Sequence, residues 1–205
     1  AILFHIVFFI YSWHTMWMEN SSYQIDFIQQ KLDKPCVLIG TGGAGKTTIG
    51  TILAQKLKID FLDSDAVLEA NEGKTIPEIF SENGEIYFRD KERETITGII
   101  NHSKPCIVGT GGGAFMNHET RVLILEKAIS IFIEADLAVL LKRVGNGEGR
   151  PLFNDKNPED VLLNMISTRY PIYNLASFTV KSDDEPIEQT AEKVLNALYK
   201  YLSHD

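Results

Sequence analysis

The stretch GTGGAGKT, residues 40 to 47, sets a lysine and a hydroxyl group behind a run of glycines. It satisfies the phosphate-binding pattern G-x-x-x-x-G-K-[ST], in which free backbone N–H groups wrap a chain of phosphates. Glycine suits the wrap because a Cβ would block the close approach of phosphate oxygens. The loop follows the apolar run CVLIG and opens the helical stretch KTTIGTILAQKL, so the positive end of that helix faces the same point. Gly43, Ala44, Gly45, Lys46, Thr47 and Thr48 are therefore the expected contacts of ATP. Lys46 would reach the β and γ phosphates, and the Thr47 hydroxyl would bind one Mg²⁺ carried with the nucleotide.

A nucleotide enzyme of this kind also needs a carboxylate near the metal. Most P-loop GTPases and motor ATPases take it from the end of the third strand, but here that strand ends in VGTGGG and offers none. The candidates stand in DSD, residues 63 to 65, at the end of the second strand, where an open parallel sheet presents residues to its ligand crevice. Asp63 is assigned to the metal shell and Asp65, one step further out, to the acceptor. Two acids in a turn also suit helix capping, which stays open as the rival reading. A GTP site would want an N-K-x-D type segment, and NDKN at 154 to 157 does not supply it. Phosphoryl transfer to a small molecule remains.

These groups need a frame, and the chain offers one from Lys34 onward, where short apolar runs alternate with helical stretches in the manner of βαβ units. Five strands are expected, at 36–40, 59–63, 106–110, 130–135 and 177–180. Their continuous apolar character fits a sheet covered on both faces. TIPEIF offers a capping-box start, Thr75 with Glu78, to a short helix, and NGEIYFRDKERETITGII a longer charged one. Residues 143–160, rich in Gly, Asn, Asp and Pro, read as a long loop of the kind that serves as an active-site lid. A last helix is expected over roughly 185–202. GTGGG, residues 109–113, shares GTGG with the first loop, but the flanks differ, so it is not a duplicate.

The P-loop, DSD, FRDKE (88–92), GTGGG, RPLF (150–153) and RYPIY (169–173) occur together in an order and spacing that resembles the shikimate kinase family, over residues 36 to about 186. The resemblance implies a three-layer α/β P-loop kinase fold, with a five-stranded parallel sheet in the order 2-3-1-4-5, helices on both faces and a lid loop. It implies transfer of the ATP γ-phosphate to the 3-hydroxyl of shikimate, in the route to chorismate and aromatic amino acids. On that resemblance Arg89 and Arg169 grip the acceptor's carboxylate, which suits planar guanidinium forks. For Arg89, a plain helix salt bridge to Glu85 or Glu92 is the alternative. Phe88 would form an apolar wall beside the ring. Gly111, Gly112 and Gly113 would let the ring approach the backbone, which answers why there are two glycine loops. Asp65 would hydrogen-bond the attacking hydroxyl, with its positioning role weighted above its role as base. Arg150 would swing over the phosphates as a catalytic cation beside Lys46 and Asp65. Arg143, Pro151 and Pro186 would flank the adenine. Gly109 stands where the family more often has Ala, and Phe153 where it often has Leu. Gluconate kinase, another small-polyol kinase, or a non-catalytic nucleotide-binding relative are the competing identities.

Composition fits that reading. The 205 residues are 44% hydrophobic, enough for one domain with an ordinary core. A formal charge of −8 argues against a nucleic-acid partner, since phosphate-backbone affinity needs a basic face. Cys36 and Cys106 lack C-x-x-C spacing and are expected as buried, reduced thiols in a cytoplasmic protein. The first eighteen residues are strongly apolar without Lys or Arg, which fits neither a secretory signal nor a full membrane span. Residues 1–33 are expected as a hydrophobic extension outside the kinase core, with a start at Met16 or Met18 or a membrane-proximal anchor as readings of it; residues 34–205 are expected as the domain, a monomer with no membrane partner for its core.

Overall fold

The computed structural model describes residues 22–102, 104–145 and 157–204. Five strands, β1 (Cys36–Ile39), β2 (Asp60–Asp63), β3 (Cys106–Gly109), β4 (Ile129–Glu134) and β5 (Phe178–Lys181), form one sheet in the order β2-β3-β1-β4-β5. Every neighbouring pair is parallel. The expected strands are all present, each within about a residue or two of its expected bounds.

The helices are α1 (22–31), α2 (Lys46–Leu57), α3 (Ser64–Glu72), α4 (Ile76–His102), α5 (His118–Lys127), α6 (Leu137–Val144), α7 (Pro158–Tyr173) and α8 (Ile187–His204). Strand alternation divides the core in two. Cys36 and Leu38 face a cluster that includes Leu53 of α2 and Val194 of α8, whereas Val37 and Ile39 face one that includes Ile96 of α4, Ile124 of α5 and Tyr173 of α7. Helices therefore cover both faces, as the apolar runs required.

Two details differ from the sequence reading. Ile28 of α1 and Leu32 just after it are buried in the larger core cluster, so part of the segment before the boundary expected between 33 and 34 packs on the body. The physical reason is ordinary: an amphipathic helix with one buried stripe packs wherever a sheet face is open. Residues 1–21 lie outside the described residues. The two helices expected on either side of Asn83 are joined as α4, but Gly84 breaks it with φ 81 and ψ 175, so the expected division stands at that glycine. At its start Glu78 reaches back to accept from both the Thr75 N–H and its hydroxyl, each at 2.7 Å. Here the threonine donates to the glutamate rather than accepting the helix's N–H.

The topology places the site. β1 leads into the P-loop, β2 ends at Asp63, and β3 runs through Gly109 into the second glycine loop. These three strands are adjacent, so their carboxyl ends open on one edge beside the point where chain order reverses. Thr110 fastens the two loops at their bases, its hydroxyl donating to the Leu38 carbonyl at 3.0 Å. Among the described residues no helix is long and apolar enough to cross a membrane.

Candidate active site

On the donor side the geometry is made by backbone. Gly43 and Gly45 adopt φ of 91 and 93, the left-handed region that side chains disfavour. Helix α2 then starts at Lys46 with no side-chain cap and no acid in its first turn. Its first N–H groups are left to a ligand, and the helix dipole favours an anion there. Lys46 folds back so that its ammonium donates to the carbonyls of Gly40 (2.8 Å) and Thr41 (3.0 Å). Burial pulls its pKa down to about 8, against the pull of Asp65 and Asp63, which favour the charged form. Thr48 is exposed beside Thr47.

Asp63 caps a helix with one oxygen and leaves the other turned toward the phosphate loop. Its Oδ1 accepts from the N–H groups of Asp65 (3.1 Å) and Ala66 (3.4 Å), which caps α3. Its Oδ2 faces Thr47, whose hydroxyl donates to it at 3.4 Å. Two hard oxygen donors thus stand together next to the phosphate loop. Mg²⁺ is commonly held in such a way, by one or two protein oxygens plus phosphate and water.

The acceptor side is made of side chains from three helices gathered around one loop. After β3, Gly111, Gly112 and Gly113 lead into a single 3₁₀ turn, Ala114–Met116. A Cβ on Gly111 would lie 3.0 Å from Asp65 Oδ1 and 3.1 Å from Glu92 Oε1, and one on Gly112 would lie 3.1 Å from the Arg169 guanidinium. One on Gly113 would overlap the Arg89 guanidinium outright. The three glycines are thus the points where two acids and two arginines close on the backbone. Arg169 donates to the Gly112 carbonyl at 3.1 Å. Arg89 bonds to Glu92 at 2.8 Å and more loosely to Glu85 at 3.4 Å, so its helix salt bridges and its place at the glycine loop coexist.

Electrostatics single out Asp65. Its Oδ1 is buried and has no hydrogen-bond partner among the described residues. Burial pushes its pKa up, Asp63 adds to the rise, and Lys46 and Arg89 oppose it. Glu92, only 3% exposed, is also pushed up by burial, and the Arg89 pairing works against that. A buried carboxylate oxygen without a donor is costly, which marks a place for a ligand hydroxyl. Asp65 lines the same cleft of about 420 Å³ as Lys46, Thr47, Asp63, Gly111 and Gly112. The phosphate loop and the start of the second glycine loop therefore share one crevice, and Arg89 and Arg169 stand against that second loop at Gly113 and Gly112.

The remaining sequence expectations fare differently. Phe88 is buried with Leu68 and Ile79, its ring 4.5 Å from that of Phe80 and its face 5.0 Å from the Arg89 guanidinium. Arg143 lies beside the phosphate loop, its guanidinium donating to the Ala44 carbonyl (3.3 Å), the Ser182 hydroxyl (2.9 Å) and the Asp183 carbonyl (2.9 Å). Ile187, next to Pro186, comes within 2.8 Å of where a Gly45 Cβ would stand, so that segment also borders the donor loop. Arg150, Pro151 and Phe153 lie outside the described residues. Gly109 leaves room for the Phe61 ring, which a Cβ there would meet at 3.1 Å. The sequence reading missed Glu92 as a site group, although its spacing of three from Arg89 on a helix was the available signal.

Comparison with known proteins points the same way. The family profile described as "SKI: Shikimate kinase" matches residues 42–199. Among curated proteins, the shikimate kinase of Rhodopseudomonas palustris is 44% identical over 83% of this chain and 83% of its own. That of Ruegeria pomeroyi is 42% identical over 88% of this chain and 92% of its own. Among solved structures, the shikimate kinase from Acinetobacter baumannii in complex with shikimate superposes with a TM-score of 0.77 at 32% identity, covering 83% and 95% of the two chains. A gluconokinase from Sinorhizobium meliloti shares the fold at a TM-score of 0.57 and 17% identity, covering 85% and 96%.

Proposed function

The chain belongs to the shikimate kinase family, and on that premise we propose that its crevice transfers the γ-phosphate of ATP to the 3-hydroxyl of shikimate, giving shikimate 3-phosphate and ADP. The observation that carries the reading is the buried, unpartnered Oδ1 of Asp65, set between Lys46 on one side and the glycine loop with its two arginines on the other. A hydroxyl that donates to this oxygen is held in line with a phosphate chain wrapped by the P-loop.

The residues divide the task. Gly43, Ala44, Gly45, Thr48 and the start of α2 hold the phosphates through N–H groups, while Lys46 leaves its two carbonyls for the β and γ oxygens. Arg143 borders the base with Pro186, and on family resemblance Pro151 joins them and Arg150 faces the transferring phosphoryl. Arg89 and Arg169 take the carboxylate of the acid, and Gly111 to Gly113 admit its ring. Thr47 and Asp63 would hold the Mg²⁺ that travels with ATP and offsets phosphate charge. As the bond from the acceptor oxygen to phosphorus forms and the bond to the ADP oxygen breaks, Asp65 fixes the hydroxyl and receives its proton. Its raised pKa suits it to hold that proton. Transfer of this kind depends mostly on alignment and charge stabilisation, which is what these groups supply. Cys36 and Cys106, both buried and neither in a disulfide, suit the reducing cytoplasm in which we place a monomeric enzyme.

The test is a coupled ADP-release assay with shikimate and gluconate as rival acceptors. Turnover with shikimate far above that with gluconate is the expected result; gluconate-selective turnover, or none with either in folded protein, would overturn the assignment.

A further inference from the structure

A carbonyl oxygen has room for two donors, and the Gly112 carbonyl receives both from one helix. Arg169 donates to it at 3.1 Å, and the Tyr173 hydroxyl, four residues along α7 on the same face, donates to it as well. Tyr173 is 0% exposed, with its ring edge-on to Phe132 of β4 at 5.3 Å and tilted against Tyr170 at 6.1 Å. The sheet therefore holds this phenol in one orientation, and its hydroxyl is a fixed donor.

Fixing that one carbonyl has two effects. The Gly112 carbonyl and the Gly113 N–H belong to one rigid peptide plane, so holding the oxygen also sets the direction of the N–H beside Arg89. The same oxygen engages one nitrogen of the Arg169 fork, which sets the plane of the guanidinium and the direction of its remaining N–H groups. We propose that Tyr173 is a positioning residue for the acid substrate, acting through the Gly112 carbonyl to orient both the middle of the glycine loop and the Arg169 guanidinium. The inference rests on the reading of this crevice as the site of a carboxylic acid acceptor. It extends that reading to a group that does not itself touch the acid.

The helix supplies its own control. Tyr170 has a buried hydroxyl on the same element, but it donates at 2.6 Å to the carbonyl of Ala135, just beyond β4, and not to the glycine loop. Tyr173→Phe and Tyr170→Phe thus remove the same group from similar surroundings on different carbonyls. Initial rates with shikimate and ATP varied separately should show Tyr173→Phe raising the shikimate KM by about 3- to 10-fold, the value of one hydrogen bond, with the ATP KM unchanged within about twofold. Tyr170→Phe should leave the shikimate KM in place. Thermal melts with and without saturating shikimate give a second readout that needs no turnover. The shikimate-induced rise in Tm should shrink in Tyr173→Phe and persist in Tyr170→Phe. Equal shifts in the two variants, or an unchanged shikimate KM and Tm rise in Tyr173→Phe, would overturn the inference while leaving the kinase assignment intact. Absence of shikimate turnover in the wild-type protein would instead remove the parent reading, and this one with it.

Discussion

Both loops at the mouth of the crevice are runs of glycine, but the donor loop needs glycine for its backbone and the acceptor loop needs it for space. Gly43 and Gly45 sit in the left-handed region, at φ 91 and 93. None of Gly111, Gly112 and Gly113 does, and Gly113 has an ordinary φ of −90. What glycine provides there is a missing side chain, because Asp65, Glu92, Arg169 and Arg89 occupy the volume a Cβ would take. The supports differ in the same sense. The donor loop is rooted in the larger core cluster through Ala44, Ile49 and Leu53, whereas α3 and part of α4 rest on a small cluster of Leu68, Ile79 and Phe88. One site is a shape written in main chain; the other is a meeting of charged side chains from distant elements.

The strongest way to break this comparison is at Asp65. Asp65→Asn keeps the shape but removes the charge and the proton acceptor, so kcat should fall by about 10²- to 10⁴-fold. ATP affinity measured by calorimetry should stay within about twofold, since the donor loop owes its form to backbone. A comparable loss of ATP binding would contradict the division. Gly113→Ala comes next: with φ already ordinary, only displacement of Arg89 can matter, and kcat/KM for shikimate should drop by about 10²-fold. If the loss appears in the ATP KM instead, the spatial argument for this loop is wrong.

Arg169→Lys keeps the charge but loses the fork, and the shikimate KM should rise by about tenfold at constant ATP KM. The pH profiles separate the two sides further. Lys46 is charged below its pKa of about 8 and neutral above it, and polyphosphate prefers the ammonium, so ATP affinity should weaken as pH rises past 8. On the acceptor side the sign is opposite: Asp65 must be ionised to receive a proton. Its raised pKa therefore displaces the acid limb of kcat/KM for shikimate upward from the ordinary aspartate value of 3.8. An acid limb at or below that value would argue against Asp65 as the titrating group. The smallest effect should come from Asn117→Ala, which removes the side chain that accepts the Thr120 N–H at 3.0 Å at the start of α5. About 1 kcal/mol of stability should be lost in denaturant titrations, with both KM values unmoved, because the cap lies downstream of the loop.

The same contrast explains what could be read from residue order. The donor loop is contiguous, so Gly43 to Thr48 carry their meaning within a few residues, and the continuous apolar runs located every strand. Asp63 could be located at the end of β2 from residue order, but the turning of its two oxygens to different partners is a matter of rotamer that spacing does not encode. The acceptor side joins residues 65, 89, 111–113 and 169, which only the fold brings together; without the joint order of several short motifs, each would have been an ordinary surface group. Phe88 could be read either way, because an aromatic beside a substrate arginine suits a binding wall or a core equally well, and its packing against Leu68 and Ile79 shows only in the fold. The packing of the residues just before 34 was hidden for a related reason. Ile28 and Leu32 stand in a segment read as an extension, and only their packing in one cluster with residues of α2 and α8 makes them core.

Asp63 ties the ends of the crevice together. One of its oxygens accepts from Thr47, at the mouth of the nucleotide helix, and the other holds the main-chain N–H of Asp65, the residue assigned to the acceptor hydroxyl. That shared carboxylate sets the Thr47 hydroxyl and the Asp65 main chain at a fixed spacing across the crevice.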